Sequence, residues 1–440
     1  MFRMICILWC FACWLIGLPA LEAQVAPTLD ELLEAATAHA PTLAELRAQR
    51  RVAAARLAEA RKVFRPNVGV GGTYTLAAGG RSINLPLGDL LNPAYGALNQ
   101  LTQSNQFPVL ENAEEQFLPN NFYDARVRVQ QPLFDPALQL SKRRAQAGIA
   151  ASEAGIAVGT ADLHEAVRTA YYQVLQARAA AEILASADSL VEEALRTTRS
   201  LIANGAGLPL ARERILAERA DVRAQRAVAR LQVENALARL GTLVGRPVME
   251  VASPAAPPAA IAQLLPDRRA ELRQLRAAEQ LVEVEAELER RFRRPRLGAQ
   301  LDAGSQAFDF ALEPYVSVGL SLDVPLYDGG RHRDRTDRLE AESAAAAART
   351  RRAEEGVALQ QTVARNQLLA ARQRYEAFAP AVRAARRTLR DATLLYRNGA
   401  TGYLELVDAR TQLTRLRLQR NLAYYDIYLR RAALLRAYGQ

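Results

Sequence analysis

The chain contains two copies of one structural plan, and this duplication limits its possible folds more than any other feature of the sequence. A shift of 194 residues, from 204 to 398, aligns Asn204-Gly205-Ala206 with Asn398-Gly399-Ala400. A shift of 193 residues, from 131 to 324, aligns Gln-Pro-Leu-Phe-Asp at 131–135 with Val-Pro-Leu-Tyr-Asp at 324–328. Fixed-period similarity of this kind indicates a repeated structural unit. The two copies are predicted over 24–245 and 267–440.

Each copy is predicted to form a helix, two strands, a long helix and a shorter helix, in that order. From Val316 to Val324 apolar residues alternate with small or polar ones, as in a strand with one apolar face. Four strands are too few to close a barrel, and open sheet edges invite aggregation. We therefore expect other copies of the chain, or an unseen sheet partner, to complete the sheet. The predicted strands lie at about 67–76, 122–131, 296–304 and 315–324.

Long helices dominate the rest of the pattern. No proline occurs from Ala137 to Leu208, and a straight helix over 137–202 would be roughly 100 Å long. Its apolar and small residues step by alternating fours and threes, which predicts coiled-coil packing interrupted only at Asp188. The second long helix has the same spacing, and Pro380 should kink it. The first copy has two further predicted helices, at about 28–64 and 209–244. These patterns alone indicate a mainly α chain with a β portion.

The remaining segments are a leader, a linker and an insertion. Residues 1–23 combine an early arginine, a short apolar run and a small residue, which predicts a cleaved secretory signal. A proline-rich linker is predicted over 246–266. The segment 77–121 is predicted to be a long strand-to-strand loop, and one interpretation is that this loop is unstructured at the surface.

Composition excludes several classes of function. Every cysteine and tryptophan lies within the first 14 residues, so the predicted mature chain has no disulfide framework, thiolate zinc site or cysteine nucleophile. The formal charge of +10 includes a basic run at 290–294, but this run borders a predicted strand and has acidic neighbours, so no nucleic-acid partner is expected. The three histidines lack metal-site spacing, and we expect no metal and no cofactor. No catalytic constellation is found, so an enzyme is not expected.

Glu405 and Asp408 are three residues apart at the start of the last predicted helix and so share a face. From the residues alone, the dipole of a helix N-terminus is sufficient to explain carboxylates at these positions. The first copy has Ala211 and Arg214 at the equivalent places.

The sequence resembles the TolC family of bacterial outer-membrane efflux ducts. The marks of the resemblance are the duplicated plan, the Pro-Leu-aromatic-Asp pairs at 132–135 and 325–328, and Asn-Gly-Ala-Thr-Gly-Tyr-Leu-Glu-Leu-Val-Asp-Ala-Arg at 398–410. The resemblance implies a fold that is mainly α with a β-barrel portion: a homotrimer whose twelve strands close a barrel in outer-membrane lipid, continued by a coiled-coil tunnel through the periplasm. It also places the 77–121 loop at the barrel mouth, which the loop would cover or enter. It also implies an inner-membrane transporter and a periplasmic adapter as partners, in efflux of small molecules or type I protein secretion. The alternative is a secreted structural coiled-coil or scaffold protein.

The resemblance also assigns roles to individual residues. It places Glu405 and Asp408 in a ring at the periplasmic entrance, where they would set selectivity and block by cations. The family often has a lock arginine where this sequence has Thr401, so Tyr396, Arg397 and Thr401 are candidates for gate support. The candidate adapter contacts are Asn204, Gly205, Asn398 and Gly399. If the apolar stripe of the second strand meets lipid, Arg126 and Arg128 face the barrel lumen; otherwise they are polar-face residues paired with Asp302 or Asp323.

Overall fold

The structure is a computed structural model that describes residues 26–254 and 269–440. The predicted signal peptide and most of the predicted linker, from residue 255 onward, lie outside the described residues. The elements are α1 (Leu29–His39), α2 (Pro41–Lys62), β1 (Asn67–Thr75), β2 (Ser82–Leu85), α3 (Leu87–Thr102), β3 (Ala113–Gln116), β4 (Phe122–Phe134), α4 (Pro136–Ala203), α5 (Pro209–Val244), α6 (Ala270–Arg290), β5 (Arg296–Phe308), β6 (Pro314–Asp323), α7 (Arg331–Arg397) and α8 (Tyr403–Ala437).

The described chain divides into two compact units. One is largely helical and contains the described residues of Met1–Ala53, Gly148–Glu279 and Ala344–Gln440. The other contains all six strands and comprises Ala54–Ala147 and Gln280–Ser343. Helices and an antiparallel sheet thus occur as the sequence predicts, and the chain is mainly α.

Four strands form one antiparallel sheet in the order β1, β4, β5, β6. The register aligns Val70 with Val127, Val127 with Ala303, and Ala303 with Val316, so the apolar residues of all four strands share one face. Because side chains alternate across a strand, the polar residues share the opposite face. The outermost strands, β1 and β6, each pair with only one other strand of the chain. The sheet of a single chain therefore has two open edges.

The first predicted helix is broken, so the prediction of one helix over 28–64 is wrong. α1 ends at His39 and α2 begins at Pro41, with Ala40 between them in an extended conformation (φ −62°, ψ 122°). A residue that precedes proline is pushed out of the helical region, and proline has no N–H to continue the ladder. Pro41 therefore starts a new helix.

The insertion 77–121 contains regular structure, so the alternative of an unstructured surface loop is wrong. It contains α3 and the two-stranded sheet β2–β3. Asn92 donates to the carbonyl of Leu110 and accepts from its N–H, at 2.9 and 2.8 Å, and Asn99 makes the same pair of bonds to Phe107. These amide side chains fasten the return segment along one side of α3. A position at the barrel mouth remains a prediction.

The predicted coiled-coil seams are buried in the helical unit. Val167, Val174 and Val191 of α4 are at most 1% exposed, and Val382 and Ala385 of α7 are at most 4% exposed. α7 continues through Pro380 to Arg397.

Asp188 interrupts the α4 seam and is itself buried. Its Oδ2 accepts a hydrogen bond from Arg226 of α5 at 2.9 Å, and Arg223 lies 3.6 Å from its Oδ1. A buried carboxylate is tolerated when it is paired. The interruption of the heptad pattern is therefore a charged contact between α4 and α5.

Candidate functional site

The two long helices end in the same way, as the duplication implies. At the end of α4, the N–H of Gly205 donates to the carbonyl of Ile202 and the N–H of Ala206 donates to that of Leu201. At the end of α7, Gly399 and Ala400 donate in the same manner to Tyr396 and Leu395. This is the Schellman pattern, and both glycines have the positive φ it requires, 72° and 70°. The glycine, rather than the asparagine before it, adopts the left-handed conformation.

Glu405 and Asp408 are both exposed on α8. Glu405 lies in the first helical turn, where Gly402 provides no side-chain cap, so its carboxylate is near unpaired helix N–H groups. Within the described residues neither carboxylate makes an ion pair. The first turn of α5 has no acidic residue, so the pair belongs to the second copy alone. One chain thus presents two unneutralised carboxylates on one exposed face.

The candidates for gate support lie in different environments. Arg397 pairs with Glu193 of α4, and both side chains are about half exposed. Tyr396 is buried, and its hydroxyl lies 2.6 Å from that of Thr198, which is fully buried. Thr401 is half-buried beside Gly402. Tyr396 and Arg397 therefore both connect α7 to α4.

A buried network beside the acidic pair was not predicted from the sequence. Tyr403 and Arg410 of α8 both donate to Oε2 of Glu218 on α5, each at 2.5 Å, and Arg410 also donates to the Tyr403 hydroxyl at 2.8 Å. Arg410 is 4% exposed and Tyr403 is 6% exposed. Burial, followed by the hydrogen bond to Glu218, raises the pKa of Tyr403. This network joins the start of α8 to α5.

Little in the sequence could have revealed this network. Tyr403 and Arg410 are seven residues apart and therefore share a helical face, but Glu218 lies on another helix. The duplication gives no help, because the residues equivalent to Tyr403 and Arg410 in the first copy are Pro209 and Leu216. Only the packing of α5 against α8 brings the three together.

On the polar face of the sheet, Arg126 and Arg128 are paired. Nε of Arg128 donates to Asp302 on the adjacent strand at 2.7 Å, whereas Arg126 pairs with Asp124 on its own strand at 2.9 Å. Asp302 also accepts from Gln300 at 2.7 Å. Arg128 thus has one of the two partners expected for it, and Asp323 pairs with neither arginine.

Two kinds of feature are absent from the described residues. Among the described helices, none has an apolar stretch that could span a membrane. No described group of histidine, cysteine and acidic residues has the arrangement of a metal site.

Comparison with solved structures identifies the fold. The chain is similar to the outer-membrane channel OprN (20% identity, TM-score 0.74), with 93% of this chain and 89% of that chain covered. It is also similar to the outer membrane protein VceC from Vibrio cholerae (18% identity, TM-score 0.75, 93% and 96% covered). A third similar structure is the open state of the MtrE outer membrane channel of Neisseria gonorrhoeae (18% identity, TM-score 0.74, 93% and 88% covered). The fold is therefore that of an outer-membrane channel subunit.

Part of the sequence also matches a known family. Residues 261–440, which contain the second copy, match the model of the outer membrane efflux protein family. No curated protein matches the chain. The family match and the similar structures together confirm the resemblance of the chain to TolC-type channels.

Proposed function

We propose that this chain is one subunit of a trimeric outer-membrane exit duct. The observation that carries the proposal is the four-stranded sheet with two open edges and one exposed apolar face. The strands alternate in direction, so β6 of one copy and β1 of the next are antiparallel when they meet. Three copies then give twelve strands, an even number that closes a membrane barrel without an edge.

The exposure of the apolar face supports a lipid environment. Val70, Val316, Val318 and Leu320 are between 71% and 85% exposed. Soluble monomers rarely expose a contiguous apolar patch larger than a few hundred Å². Lipid removes the cost of such a patch, since the exposed side chains of the apolar face then meet hydrocarbon instead of water. The chain is accordingly placed in the outer membrane of a Gram-negative bacterium, reaching into the periplasm.

The duct has no energy source of its own in this proposal. An inner-membrane transporter supplies the energy, and a periplasmic adapter contacts the helix turns at Asn204–Gly205 and Asn398–Gly399. The two turns have the same capping geometry, so each subunit would offer the adapter two similar contacts. The cargo is small molecules in efflux or a protein in type I secretion. The subunit itself acts as a channel, not as an enzyme.

Glu405 and Asp408 are proposed to line the periplasmic entrance. Threefold repetition of two exposed carboxylates brings six negative charges to one constriction, and rings of acidic side chains favour cations and bind multivalent ones. Tyr396 and Arg397 are proposed to support the gate through their contacts to α4, beside Thr401. Arg126 and Arg128 are proposed to face the barrel lumen.

Cell fractionation tests the function against the alternative of a secreted scaffold. We expect the full-length chain, expressed in a Gram-negative host, to sediment with the outer membrane and to be extracted only by detergent, as a trimer. A water-soluble filament found in the periplasm or medium would support the scaffold and contradict the duct. Single-channel currents from the extracted trimer in planar bilayers then test conduction directly.

A further inference from the structure

A groove in the helical unit is independent of the sites described above. It has a volume of about 750 Å³, is open to the surface, and lies between α4, α7 and α8. Ligand sites typically have volumes of about 300 to 1,000 Å³. The residues that give the groove its character are Tyr375, Arg386, Arg417, Arg420 and Tyr424.

The groove is positively charged. Three arginines line it against a single carboxylate, that of Glu182. Within the described residues Arg386 and Arg417 make no ion pair. Arg417 is half-buried, and burial, followed by the nearby charge of Arg386, lowers its pKa. A partly desolvated cation beside another cation costs free energy that a bound anion would offset.

The groove is also lined by aromatic side chains. Tyr375 and Tyr424 lie with their ring centroids 5.4 Å apart. The guanidinium of Arg420 lies 5.2 Å from the Tyr375 ring centroid and donates to the Tyr375 hydroxyl at 3.1 Å, which holds it in place. The buried Nε of Arg420 has no hydrogen-bond partner. A donor without an acceptor thus lies beside the Tyr375 ring.

We propose that this groove binds a small organic anion with a planar ring. The acidic group would pair with Arg417 and Arg386, since guanidinium matches the geometry of carboxylate and sulfonate oxygens. The ring would lie against Tyr375 and Tyr424, where offset or edge-to-face contacts add to the apolar area buried. Both the acidic group and the ring are needed. An inorganic anion would make no contact with the tyrosine rings, and a neutral aromatic molecule would leave the arginines unpaired.

Binding of 2-naphthoate to the detergent-purified trimer, reconstituted in lipid nanodiscs, tests the proposal. Equilibrium dialysis against empty nanodiscs removes the contribution of lipid. We expect saturable binding that weakens as salt is raised, because screening reduces the attraction between charges. The neutral analogue 2-naphthalenemethanol and inorganic sulfate should each bind at least about tenfold more weakly, since each lacks one of the two interactions.

Arg417→Gln should weaken naphthoate binding about tenfold or more, because it removes a charged partner. Arg352→Gln is the matched control: Arg352 is exposed on α7, does not line the groove, and lies about 35 Å along the helix from Tyr375. Its affinity should stay within about twofold of the original, as expected for a distant surface charge. Tyr375→Leu should weaken naphthoate but not sulfate.

Three results would overturn the proposal. The first is no saturable binding to the intact trimer, as when a neighbouring copy fills the groove. The second is equal affinity for naphthoate and its neutral analogue, and the third is equal loss in Arg417→Gln and Arg352→Gln. The trimeric state of each variant is measured separately, so failure here leaves the duct proposal untouched.

Discussion

At the scale of single residues, Glu405 and Asp408 are the most testable part of the entrance. Replacing both by alanine removes six carboxylates from a trimer and should weaken block of the channel current by a trivalent cation by about tenfold or more. Planar-bilayer recordings with increasing trivalent cation on the periplasmic side measure the block.

A matched double variant separates a local effect from general charge. Glu34→Ala with Glu234→Ala also removes two exposed carboxylates per chain, but far from the start of α8. Glu234 lies about 24 Å along α5 from Glu218, and α1, which carries Glu34, packs against the C-terminal part of α5. Block of this control should be unchanged to within about twofold, since distant exposed charges are screened by salt. Equal weakening in both variants would mean that Glu405 and Asp408 do not form the blocking ring.

The buried network makes a second prediction at this scale. Glu218→Leu leaves Arg410 buried without its partner and should destabilise the fold by about 3 to 5 kcal/mol per chain. Glu193→Leu removes the exposed partner of Arg397 and should cost less than about 1 kcal/mol. Thermal unfolding followed by circular dichroism compares the two. A Glu218→Leu midpoint no lower than that of Glu193→Leu would contradict a stabilising role for the network.

Some of the residues discussed at this scale could be predicted from the sequence, and others could not. Glu405 and Asp408 stand out because they share a helical face and a motif. Arg128 could be assigned a partner because cross-strand neighbours follow from register. The Tyr403–Glu218–Arg410 network could not be found, because the contact joins two helices whose relative rotation no local pattern specifies.

At the scale of elements, the capping glycine of the α7 turn predicts the direction of a change in stability. Gly399 has a φ of 70°, and a Cβ there meets no atom within 4 Å, so alanine should destabilise only through the backbone, by about 1 to 2 kcal/mol. Gly356, inside α7, also has open space, and alanine there should stabilise by about 0.5 to 1 kcal/mol. Opposite shifts of the unfolding midpoint are expected; shifts of the same sign would contradict the helix-cap assignment.

The elements that the sequence predicts well are those whose pattern is local. Strand β6 follows from alternation, and helix α4 follows from heptad spacing. Predicting the break at Ala40 would have required giving more weight to one proline than to a continuous periodic pattern. Helix α3 was missed because its apolar spacing is interspersed with asparagine and glycine, and its asparagines bind the backbone of its own return segment.

At the scale of the whole molecule, the central claim is that copies of the chain pair at their sheet edges and so close one barrel. The fold of one chain leaves the outer edges of β1 and β6 unpaired, and the duplication explains why each chain supplies an even number of strands. An even number preserves antiparallel alternation at every boundary between copies. In the proposed duct, association of copies is therefore needed to complete the sheet and is not merely an added contact between finished subunits.

Disulfide trapping across this boundary tests the claim most directly, because no cysteine lies beyond residue 13. Val70→Cys on β1 is combined in turn with Val316→Cys, Val318→Cys and Leu320→Cys on β6, all on the apolar face. Val70→Cys with Ala303→Cys on the central strand β5 is the control, since β4 separates β1 from β5 within the chain.

We predict that oxidation of outer membranes gives a covalent trimer on non-reducing gels for at least one β1–β6 pair, that no larger species forms, and that the control stays monomeric. Cross-links form only when the two Cα atoms approach within about 7 Å, so a positive pair also fixes the register between copies. Monomers alone for every β1–β6 pair, or a ladder that extends beyond three chains, would contradict the closed trimeric barrel.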